Sequence, residues 1–137
     1  MPISSRLIRL GIGTLAGFLA CDLLLWPVPY SQVAMGRHPP ADALYLFGAL
    51  AGVLTALLVR REWRAPILAV VLGFVLAVMA RVVVDTSRDP TSHNLWPFEV
   101  IIAIWFGGIA AVAGVGMVRL WERVTAPAAA PPAPPAP

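Results

Sequence analysis

The sequence predicts an all-α membrane protein, four transmembrane helices in an up-down-up-down bundle with both termini cytoplasmic. Three observations lead there: an apolar composition, four long apolar runs, and an uneven distribution of arginine between the flanks. Of 137 residues, 59% are hydrophobic and only 12% charged, with a mean hydropathy of +0.81. A soluble domain carries about 25% charged residues, and one this small could not hide so much apolar surface from water. A bilayer is the appropriate solvent, because its hydrocarbon core of about 30 Å is crossed by roughly 20 helical residues.

The apolar runs cover about Leu7–Trp26, Ala41–Val59, Ala65–Val83 and Pro97–Leu120. In lipid each segment must satisfy its own backbone groups, so an unbroken apolar run is a helix; none alternates as the strands of a membrane barrel do. Pro27, Pro29, Gly36, Pro39 and Pro40 punctuate the first connection and Pro90 and Pro97 the third, while Arg60–Arg64 forms a short basic turn. Residues 1–124 thus make one four-helix transmembrane domain. Residues 125–137 read TAPAAAPPAPPAP, an uncharged Pro/Ala run without large side chains, expected to be a disordered cytoplasmic tail.

Orientation follows from arginine, since the chain has ten Arg and no Lys. Arg6, Arg9, Arg60, Arg61, Arg64, Arg119 and Arg123 flank one side, and Arg37, Arg81 and Arg88 the other. The positive-inside rule makes the richer side cytoplasmic, so the connections at about 27–40 and 84–96 face outward. Trp26, Tyr30, Tyr45 and Trp96 fall near the outer boundary and Trp63 and Trp121 near the inner one, as interfacial aromatics do. Trp105, within the fourth span, is assigned to packing. The Arg, Ala, Pro and Gly bias suggests a GC-rich bacterial gene, an inference about codon usage only, and the multi-pass chain is expected in the bacterial inner membrane.

Helices associate in lipid through small residues that let backbones approach. Gly13 and Gly17, Gly48 and Gly52, and Ala69, Gly73 and Ala77 each recur every four residues and share a helix face; Gly107, Gly108, Ala111 and Gly114 supply the fourth span. The third stripe runs on into Arg81 and Asp85, so the inward face also carries charge. A charge at this depth needs a partner. Asp22 lies roughly 22 Å along the first span and Arg81 roughly 24 Å along the third, predicting an Asp22–Arg81 ion pair, with Asp85 the alternative partner one turn away.

Arg81, Asp85, Arg88, Asp89, His93 and Glu99 form a charged, turn-rich island between two apolar spans, and with Asp22 they are the candidate polar site. Asp85, Asp89, His93 and Glu99 are metal-binding residue types, but Pro90 disfavours helix at Asp89 and breaks the spacing. Ser87, Thr91 and Ser92 beside His93 form no recognised nucleophile geometry, and Thr91, Ser92 and Asn94 are turn formers. No catalytic residue, cofactor or metal is therefore assigned. Leu25–Trp26–Pro27 and Leu95–Trp96–Pro97 echo one another and could fold both outward connections, with Arg37, His38 and Asp42, into one polar cap.

Arg6 and Arg9, an apolar stretch, then Phe18, Leu19, Ala20 and Cys21 resemble a bacterial lipoprotein signal, and Asp22 resembles the inner-membrane retention residue that follows it. The resemblance implies acylation at Cys21. It covers about the first 22 residues only, Phe18 departs from the usual Leu, and Leu23–Trp26 continue the apolar run; an uncleaved first span is expected. Small four-helix multidrug transporters are similar in span count alone, because the mid-membrane depth of their essential carboxylate here holds Gly13, Thr14 and Gly17. The expected function is that of a non-enzymatic accessory or assembly subunit. Its partners would be the lipid bilayer and a membrane protein or second copy of the chain, not nucleic acid. A small transporter or channel using Asp22, Arg81 and Asp85 is the alternative, and a metal-dependent membrane enzyme the third.

Overall fold

A computed structural model of the chain describes residues 3–29, 41–60, 62–92 and 94–126; His93 and the segment bearing Arg37 and His38 lie outside them, as does most of the Pro/Ala tail. The described residues are helical, with no strand. The helices are α1 (Ile3–Leu25), α2 (Ala41–Leu58), α3 (Arg64–Arg88) and α4 (Trp96–Val124). All four are long and apolar enough to cross a membrane. The helical architecture of a multi-pass membrane protein is therefore present.

The ends obey local chemistry. α3 begins two residues before Pro66, which leaves its missing N–H among the first-turn donors that have no helical partner. It stops at Arg88, because Asp89 precedes Pro90 and is extended at φ −137°, ψ 102°. α4 starts with Pro97 in its opening turn and Glu99 close behind, an anion at the positive end of the helix. α1 and α2 have no basic residue in their last turns, so their terminal carbonyls depend on groups from elsewhere.

Packing is closest between α1 and α3 and between α2 and α4, and glycine is the reason. A Cβ at Gly73 would collide with the Thr14 carbonyl and the Phe18 amide, and one at Gly17 would stand 2.5 Å from the Val70 carbonyl oxygen. The second pair repeats the device: a Cβ at Gly52 would stand 3.0 Å from the Ala111 carbonyl, and one at Gly114 would strike that of Ala49. Contacts along α1 and α3 climb together, Gly17 beside Val70 and Leu25 beside Arg81, and those along α2 and α4 do likewise, from Gly48 beside Ala110 to Val59 beside Arg119. Between α1 and α2 they run oppositely, Gly13 on Thr55 and Arg9 on Leu58.

Phe74, 1% exposed, joins the two pairs by filling the space left by Gly48 and Gly107. Ala51, Val70, Ala77, Ala103 and Ala111 complete the core around it. The small faces are thus the buried ones, with one exception. Gly108 has open space where a Cβ would go. Trp105 is also on the outside, 65% exposed beside Ile101 and Val112, so its packing partner is not the bundle. Large apolar side chains cover the outer surface of all four helices, as a lipid-facing surface requires.

Candidate polar site at the C-terminal ends of α1 and α3

Arg81 projects from the inward face of α3, one helical step beyond the stripe of Ala69, Gly73 and Ala77. Its side chain is 11% exposed and donates in three directions. Nη1 donates to the Leu25 carbonyl, Nη2 to the Val28 carbonyl, and Nε to Asp85 Oδ2 at 3.3 Å. The expected Asp22–Arg81 ion pair is not formed; among the described residues the carboxylate partner of Arg81 is Asp85. Depth matching erred by about one turn, since Arg81 stands level with Leu25, three residues beyond Asp22. There the carbonyls at the α1 terminus have acceptor capacity to spare at the negative end of the helix. A guanidinium on a long stem reaches them readily.

The α1 terminus is shaped for this contact. Trp26 N–H still donates to the Asp22 carbonyl at 2.9 Å and Val28 N–H to that of Leu25 at 3.2 Å, after which Pro27 and Pro29 prevent further helix. The resulting turn and the C-terminal end of α3 enclose a partly open recess of about 310 Å³, lined by Trp26, Pro27, Pro29, Arg81, Asp85 and Arg88 among others. Asp22 is not among its lining residues.

The turn after α3 is built on Asp89. Its Oδ1 accepts from the Thr91 amide at 2.9 Å and from the Thr91 hydroxyl at 2.7 Å. These bonds favour the charged form and lower the Asp89 pKa below its ordinary 3.8. Ser92 donates its hydroxyl to the Asp89 carbonyl at 2.7 Å, and Ser87 returns its own to the Val84 carbonyl at 2.6 Å. All three hydroxyls considered as nucleophiles are thus engaged in local structure. Glu99 sits in the first turn of α4, half-buried. Among the described residues no group of three His, Cys, Asp or Glu comes together to hold a metal ion.

A second polar centre, at the opposite end, escaped the sequence reading. Arg119 Nη2 donates to the carbonyls of Val59 at 3.0 Å and Glu62 at 2.6 Å, and Nη1 to Glu122 Oε2 at 2.7 Å. Arg9 Nη1 adds a bond of 3.0 Å to the Leu58 carbonyl. In the sequence these arginines read as topology signals, because backbone acceptors leave no mark in residue type. The available signal was the absence of any capping residue at the ends of α1 and α2. Comparisons with protein-family models, curated proteins and solved structures find no match to this chain.

Proposed function

We propose that this protein is a non-enzymatic accessory or assembly subunit of a bacterial inner membrane, engaging partner helices or lipid through its outward polar cap. The observation that carries this reading is how the interior polar groups are used. Thr55, the one fully buried polar side chain among the described residues, gives its hydroxyl to the Ala51 carbonyl at 2.7 Å. Arg81 and Arg119 are largely committed to carbonyls at the ends of neighbouring helices. Between them the helices meet through glycine and alanine contacts and the buried Phe74. A bundle wired this way holds a shape and presents its surfaces.

In this reading the four helices run up, down, up and down with both termini cytoplasmic. The parallel run of contacts in α1–α3 and α2–α4, and the opposite run in α1–α2, support the alternation; the arginine bias supports the orientation. The test is recovery of the full chain from native membrane in mild detergent. A stoichiometric partner is expected, with weaker co-purification when Asp89, His93 or Glu99 becomes Ala. Recovery as a lone monomer, or turnover or ion flux abolished by those changes, would overturn the proposal.

A further inference from the structure

The described lining of the recess at the outer end carries a net charge. Among the described lining residues two Arg and one Asp sum to a formal charge of +1, and Arg81 contacts Asp85 through Nε–Oδ2. Arg88 lies in the last turn of α3, exposed, and no described residue holds its guanidinium in a hydrogen bond or ion pair. Arg81 has committed three N–H groups, so two of its five remain. Planar guanidinium forks are the preferred protein partners of phosphate oxygens.

The rest of the recess is not what a free anion needs. Trp26, 50% exposed, stands with Pro27 and Pro29 at the end of a membrane span, the depth of lipid headgroups. A phosphodiester in a lipid brings −1 to meet the +1, and its glycerol backbone covers the tryptophan and proline wall. We propose that this recess binds the phosphodiester of a membrane phospholipid, with Arg88 as the main ligand and Arg81 as the second. The inference rests on the outward, lipid-engaging cap described above and names its ligand.

The test is native mass spectrometry of the full chain released from nanodiscs of phosphatidylethanolamine and phosphatidylglycerol. Wild type should retain phospholipid, and Arg88→Gln should retain about tenfold less, the worth of a charge-assisted contact. Arg123→Gln, removing an exposed arginine at the other end of the bundle, should retain as much as wild type, and excess inorganic phosphate should displace nothing. The thermal midpoint of Arg88→Gln in detergent should match wild type, excluding misfolding. Unchanged retention in Arg88→Gln, equal loss in Arg123→Gln, or displacement by inorganic phosphate would each overturn the proposal. Partner recovery from the same Arg88→Gln preparation reads the subunit proposal separately: a partner kept while lipid retention stays at the wild-type level sinks only the lipid site.

Discussion

Arg81 and Arg119 perform one task at opposite ends of the bundle. Each reaches from its own helix to terminal carbonyls of another, and each keeps a carboxylate within four residues on its own helix. The arrangement compensates for helices that end without a glycine cap or a basic last turn. Arg81→Leu should strand the Val28 carbonyl, leave that of Leu25 with the Val28 amide alone, and remove the cation beside Asp85. A loss of about 2–3 kcal/mol is expected, discounted for the exposure of Asp85 and read as lower folded yield and thermal midpoint in detergent. Arg81→Lys should fall between, because one ammonium cannot span acceptors on two segments as a fork does. At Asp89 the folded-state pKa is lowered, so its contribution is present above the unfolded value and lost as pH falls through the folded one. An NMR titration should place its midpoint below 3.8, and Thr91→Val should raise it.

At the scale of the helix, packing is a matter of which glycines face which backbone. Gly73 and Gly17 let α3 lie against α1, and Gly114 and Gly52 do the same for α4 and α2. In lipid this proximity replaces hydrophobic drive, since dispersion and close contact are what remain. Gly73→Ala should force α1 and α3 apart and lower the thermal midpoint markedly, whereas Gly108→Ala, with nothing within 4 Å, should be near neutral. Equal effects would show that helix propensity rather than backbone approach is at stake. The stripe Ala69–Gly73–Ala77 was legible in the sequence because helical spacing places such residues on one face. That Gly108 faces outward was not, because neighbouring glycines at 107 and 108 are equivalent until a partner helix selects one.

For the whole molecule, the α1–α3 and α2–α4 pairs are keyed together by Phe74 and tied at both ends by arginine. The proposed orientation predicts the outcome of thiol labelling in a Cys21→Ser background, which removes the one native thiol. Ser92→Cys should react with a membrane-impermeant maleimide applied from outside to intact cells, and Thr125→Cys only after lysis. The reverse pattern would invert the bundle and move the lipid recess to the inner leaflet.

Composition and the length of the apolar runs by themselves determined that this chain is helical and suited to a membrane, because a bilayer permits few other solutions to unbroken apolar sequence. Periodicity determined the faces that pack, and Pro90 the end of α3. Tertiary structure alone decided the partner of Arg81. Asp22 and Asp85 are visible in the sequence as carboxylates, but the carbonyls of Leu25 and Val28 belong to every residue type and become acceptors only where a helix ends beside a donor. The same reason hid the bonds from Arg9 and Arg119 to the end of α2. It also turned the charged island from a stretch of sequence into a recess with Arg81 and Arg88 in its wall, Arg88 held by no other described residue.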